Sequence, residues 1–166
     1  MGFTLEQLSD IELIRDVVKR YCRGVDRLDL AEMQSAYWPD ATDDHGSFVG
    51  NAWDFSEHCM VSHLRWRSTN HCIFNHLIDL DSEGVYARGE IYNVSYLLQK
   101  AEDVLDTWHG RYLDKYEKRD HQWRIIERVC VHEFTKTEPV SPMKIASLQF
   151  RQGDFDRPAG GRTLGP

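Results

Sequence analysis

Asp26 stands where a carboxylate is poorly served by its own helix. Ile11, Ile14, Val17, Val18, Tyr21 and Val25 recur at spacings of three and four, which predicts a helix with one apolar stripe. Ser9 and Glu12 have the spacing of a capping box, so the helix is expected to start just before Ile11. Gly24 then weakens it, and Asp26 follows at its C-terminal end. There the anion faces the negative pole of the helix dipole, at a cost of about 0.3 kcal/mol or more. A cation or imidazole brought in from elsewhere in the chain would favour it. Without one, Asp26 is a solvated residue opening the polar loop Asp26-Arg27-Leu28-Asp29.

The histidines do not read as a metal site. His58 and His63 are five apart and miss the shared helical face of an i, i+4 pair. His71 and His76, on a predicted strand, are expected on opposite faces. There is no ligand cluster and no phosphate-binding glycine motif, so the chemistry is expected to need no metal, flavin or nicotinamide. Arg111 and Arg128 lie on predicted long strands. Such a side chain either points inward to bind an anionic or enol oxygen or forms a surface pair with Asp114 or Glu127. His132 is a further strand candidate. Trp66 and Trp108 are placed to wall an aromatic pocket, while the remaining tryptophans suit the core.

The elements that must position these residues fall into two runs. After the first helix, Asp29 can cap a second short one from Leu30 to about Trp38, closed by Pro39-Asp40. Residues 41–50 are polar and leave room for one short strand and a turn. A third helix is expected from about Asp54 to Arg67. Strand patterns then cover Asn70–Leu80, Val85–Leu98, Thr107–Lys118 and Trp123–Phe134, with turns at Asp81-Ser82-Glu83-Gly84 and Arg119-Asp120-His121. Three helices followed by four antiparallel strands predict an α+β fold with the helices across one face of a curved sheet. Beyond Phe134 the chain turns Pro-rich. Ser141-Pro142 suits a helix start for Met143–Phe150, and residues 151–166 suit an arm. Two parts are therefore expected: a domain over 1–135, and a helix and arm over 136–166 that packs on a neighbouring subunit.

At 166 residues, 41% apolar and 28% charged, the chain has the composition of one soluble globular domain. A net charge of −7 argues against a nucleic-acid partner. No signal peptide or membrane-spanning run is visible. The four cysteines are scattered, as suits free thiols in a cytoplasmic protein.

Three segments carry a resemblance: Ile14 to Asp29, Asn70 to Asn75, and Tyr112 to Ile125, the last resembling a characteristic long hairpin. Together they are similar to the SnoaL-like branch of the nuclear transport factor two superfamily. That implies a cone-shaped, cystatin-like α+β barrel with N-terminal helices on the concave face of the sheet. Within it, the scytalone dehydratase, bile-acid 7α-dehydratase and lindane dehydrochlorinase type resembles the chain best. The resemblance implies a cofactor-free lyase with Asp26 and His71 as its acid–base pair and Tyr21 as a donor to a substrate oxygen. Arg128 matches the position of a functional residue in the dehydrochlorinase. The same resemblance leaves open a ketosteroid-isomerase-like isomerase, the non-catalytic small subunit of a ring-hydroxylating dioxygenase, and a ligand-binding domain.

Three helices cover only one face of a sheet. On 70–80, Ile73 and Leu77 are expected on one side and Cys72, Phe74 and Ile78 on the other, so an apolar face is left over. It is expected to pack on other copies of the chain, as a homotrimer by resemblance to the lyases, with a dimer as the alternative.

Overall fold

The computed structural model describes residues 2–141. Helix α1 (Leu5–Arg27) and the short α2 (Leu30–Ser35) lead into strands β1 (Tyr37–Asp44) and β2 (Val49–Asn51). Helix α3 (Ala52–Ser62) and a single 3-10 turn (His63–Arg65) follow. The chain then runs through β3 (Trp66–Leu80), β4 (Tyr86–Gln99), β5 (Val104–Arg119) and β6 (Gln122–Pro139). The sheet order is β2-β1-β6-β5-β4-β3. This is the expected α+β architecture, with one correction: the sheet has six strands and is mixed, because β1 joins β6 in parallel.

Helix α1 starts earlier than Ser9 and Glu12 suggested. Thr4 caps it, its side chain accepting from the Gln7 N–H while Gln7 reaches back to the Thr4 backbone. The same reciprocal bond is thus made five residues upstream. The apolar stripe is as expected: Ile14, Val17, Val18, Tyr21 and Val25 are buried and meet Ile91, Tyr112, Tyr116 and Ile125 of the sheet in one core. The helix ends on Leu28 in the left-handed region (φ 51°), and Asp29 caps α2 by accepting from the Glu32 N–H. Helix α2 stops at Ser35 instead of Trp38. From Ala36 onward the chain is claimed by β6, with the Ile125 N–H donating to the Ala36 carbonyl at 2.9 Å.

Asp120 and His121, with φ of 48° and 62°, make the two-residue turn between β5 and β6, the geometry that matches strand twist in a hairpin. Strand β3 is bulged between Ile73 and His76. The extra residue reverses the alternation, so His71 and His76 share the inner face instead of lying opposite one another. Ile73 and Ile78 pack against the core, while Phe74 and Leu77 point outward. Strand β6 runs on to Pro139, past the expected end at Phe134. The helix expected over 143–150 and the arm over 151–166 lie outside the described residues.

Candidate active site

Helix α1 and strand β3 cross at Asp26. The last helical turn presents the carboxylate to β3, where alternate residues Thr69 and His71 both face inward. The Thr69 hydroxyl donates to Asp26 Oδ1 at 2.9 Å, the His71 backbone N–H to Oδ2 at 2.8 Å, and His71 Nδ1 meets Oδ1 at 2.6 Å. Burial alone would raise the Asp26 carboxyl. The hydrogen bonds from the His71 ring and backbone, the ring's charge and the Thr69 hydroxyl outweigh it and hold the group below its ordinary value. An ionised carboxylate only accepts, so His71 Nδ1 carries the proton of that bond, and in the neutral ring Nε2 is the nitrogen with the lone pair. The dipole penalty that marked Asp26 in the sequence is thus met by three donors from one strand.

His71 opens onto a cavity of about 530 Å³ bounded by α3, the 3-10 turn and the inner face of β3 to β6. Its walls are aromatic: Phe55, Trp66, Trp108 and Tyr112, with Leu97 and Cys59 between them. Polar groups line it as well, from distinct elements: His45 after β1, His58 and His63 near α3, Ser95 on β4, and the charged Asp106 and Lys136 on β5 and β6. The His63 ring is inclined by 28° to that of His71, centroids 6.3 Å apart. Burial, with the His71 and Arg65 charges, pushes His63 down to about 4, so it is neutral near pH 7.

The other sequence candidates divide. Trp66 and Trp108 line the cavity as expected. Tyr21 does not. It is buried, and its hydroxyl lies 3.3 Å from His45 Nε2. Arg128 is also buried away from the cavity. Its Nε and Nη2 each bond Asp114 at 2.7 Å, and its guanidinium lies 4.2 Å from both the Tyr21 and Tyr112 ring centres. Burial would lower the Arg128 pKa, but the Asp114 charge and the surrounding phenols hold it well above its ordinary value. Arg128 does not line the cavity, and Asp114, one of the two partners considered, holds it. Arg111 faces the opposite side of the sheet, paired with Glu90 and Glu133 at 2.6 and 2.9 Å. His132 is exposed beside Trp108, ring centroids 6.2 Å apart, and is not part of the cavity wall. Among the described residues no three His, Cys, Asp or Glu side chains converge as metal ligands. Cys22, Cys59, Cys72 and Cys130 are free thiols.

Sequence reasoning missed Asp43 and His45. Asp43 is 1% exposed, accepts from the Tyr37 hydroxyl at 2.6 Å, and is in hydrogen-bond contact with His45 Nδ1. Their i, i+2 spacing was the available signal, in a polar stretch expected to hold one short strand and a turn; the strand begins earlier, at Tyr37.

No curated protein matches the chain in sequence. Among solved structures it is similar to a putative scytalone dehydratase from Novosphingobium aromaticivorans, at 20% identity over 81% of this chain and 91% of that one, TM-score 0.72. It is also similar to a hexachlorocyclohexane dehydrochlorinase, LinA-type3, from Novosphingobium barchaimii, at 18% identity over 84% and 99% of the two chains, TM-score 0.74. A third similar structure, from Mycobacterium tuberculosis, is described as a protein of unknown function, with 25% identity over 80% and 77% of the chains and TM-score 0.69. These likenesses bear on the fold. Residues 6–129 match the SnoaL-like domain, and on that match the chain belongs to the SnoaL-like family.

Proposed function

We propose that the protein is a cofactor-independent lyase that uses Asp26 and His71 as an acid–base pair on a hydroxylated aromatic or polycyclic small molecule. The observation that carries this is the 2.6 Å contact between Asp26 and the Nδ1 of His71, on a ring that opens into an aromatic-walled cavity. A neutral imidazole with a free Nε2 can take a proton from carbon, and the neighbouring carboxylate stabilises the imidazolium that forms. A volume near 530 Å³ is within the usual range for small-molecule sites, and flat aromatic walls suit a ring. The similar structures described as a dehydratase and a dehydrochlorinase support elimination as the reaction type. A non-catalytic subunit would give no reason to bury a paired carboxylate and imidazole beside a cavity.

Proton abstraction can be tested without knowing the leaving group. The full chain is incubated in D2O with 2-tetralone, a bicyclic ketone, and deuterium incorporation beside the carbonyl is followed by NMR. We expect catalysed exchange that falls by about 10²- to 10⁴-fold in His71→Gln and is unaffected by a chelator. Equal exchange by parent and variant would refute the assignment.

A further inference from the structure

We propose that His45, seated by Asp43 and Tyr21, is a second acid–base residue of this cavity and delivers the proton to the oxygen that leaves. This rests on the assignment of His71 as the base. His45 and His71 reach the cavity from distant parts of the sheet: β1, which leads to His45, is separated from β3 by β6, β5 and β4. A molecule filling the cavity therefore meets the two imidazoles on different walls.

The two sites are built alike. Asp43 is a buried carboxylate in contact with Nδ1 of its histidine, and the Tyr37 hydroxyl donates to its other oxygen at 2.6 Å. In the state that delivers a proton His45 is an imidazolium with hydrogens on both ring nitrogens; the Asp43 anion holds the one on Nδ1 and balances the charge, so Nε2–H is the working donor. The ring plane is set by Phe55, stacked beneath it at a centroid distance of 4.2 Å and 22°. Nε2 is only loosely engaged. The Tyr21 hydroxyl oxygen is 3.3 Å away, beyond the roughly 2.7–3.2 Å usual for an N–H···O bond, so a substrate oxygen can replace it. Burial pushes the Tyr21 phenol well above its ordinary value, so it stays protonated and serves to position the ring. A structural role also has support, since the His45 backbone N–H donates to the Phe48 carbonyl in the turn to β2. That backbone bond, however, gives no reason for the side chain to be a histidine held by a buried aspartate. A buried ionic pair is often no more stable than an apolar one of similar size.

In the step proposed, the substrate C–H bond breaks and its proton passes to His71. The electron pair forms the C=C bond as the C–O bond breaks. The oxygen departs with that bond's pair and the proton of His45 Nε2, as water. His71 then loses a proton to solvent and His45 regains one, which closes the cycle. It follows that the substrate carries a hydroxyl at the His45 wall and an acidic C–H at the His71 wall. His45 matters only when the leaving group needs a proton.

The test uses two aryl-alkyl ketones that give the same product, 4-hydroxy-4-phenylbutan-2-one and its acetate ester. The first loses water, the second loses acetate, which needs no proton. We expect His45→Gln to slow water loss by about 100-fold and acetate loss by less than about threefold. Tyr21→Phe and Asp43→Asn, which keep the packing, should show the same selectivity in weaker form even if His45→Gln folds poorly. His71→Gln should abolish both reactions. Equal effects of His45→Gln on both substrates, or none on either, would overturn the role of His45 and leave the base assignment standing. Unchanged turnover in His71→Gln, or no turnover of either ketone by the parent, would overturn both.

Discussion

At the scale of single residues, titration and burial set the behaviour. His63 is pushed down to about 4 by burial and its cationic neighbours, against about 6.5 unfolded. Between those values the unfolded chain binds the extra proton, so stability is full above about pH 6.5 and falls as the pH drops toward 4. The loss due to His63 is up to roughly 3 kcal/mol. His76, also pushed down to about 4 by burial, acts in the same direction. Asp26 has the opposite charge type but loses stability in the same direction, at lower pH: its carboxyl is held down in the fold, so its contribution fades as the pH falls through that lowered value. Urea midpoints should therefore drop between pH 7 and 4.5, and His63→Gln should flatten that slope. Arg128 gives a second prediction. Asp114→Asn leaves its guanidinium buried without a counter-charge and should cost about 3–5 kcal/mol by urea unfolding. Asp26 was legible in the sequence because its dipole placement demanded a partner. Arg128 was not, because an arginine on a strand gives no sign of which face it takes.

At the scale of elements, close approach decides more than propensity. A Cβ on Gly24 would meet the Met33 backbone nitrogen at 2.5 Å, so α1 and α2 can cross there only because position 24 has no side chain. Gly24→Ala should raise intrinsic helix propensity by about 1 kcal/mol yet lower the melting temperature. The backbone clash is expected to outweigh that gain by about 1–3 kcal/mol. The long strands and their turns were readable from alternation and turn residues. Two features were not. Strand β1 gains its order from pairing with β6, far along the chain, and nothing local in Tyr37 to Asp44 announces it. The bulge after Ile73 shifts the phase of β3 by one residue, and period-two counting cannot see an inserted residue. For that reason His45 went unnoticed and His76 was placed on the wrong face.

At the scale of the whole molecule, the outer face of the sheet carries several exposed large apolar side chains. Phe74 and Leu77 are 61% and 62% exposed, Tyr92 45% and Phe134 54%, with Arg111, Glu90 and Glu133 paired among them. Soluble monomers seldom carry such a patch. We expect the chain to assemble through this face, as a homotrimer in preference to a dimer. Light scattering should give a multiple of the 19.4 kDa chain mass, and Leu77→Glu with Phe134→Glu should reduce it to a single chain. A parent that scatters as one chain would rule the assembly out. A different consequence follows from where the cavity gets its parts. Asp26 and His71 come from α1 and β3, joined by three hydrogen bonds, whereas much of the wall comes from α3, β5 and β6. Substitutions at Phe55, Trp108 or Thr135 can therefore reshape the cavity while leaving Asp26 and His71 untouched. On the proposed function, such a scaffold can change its diet without changing its chemistry.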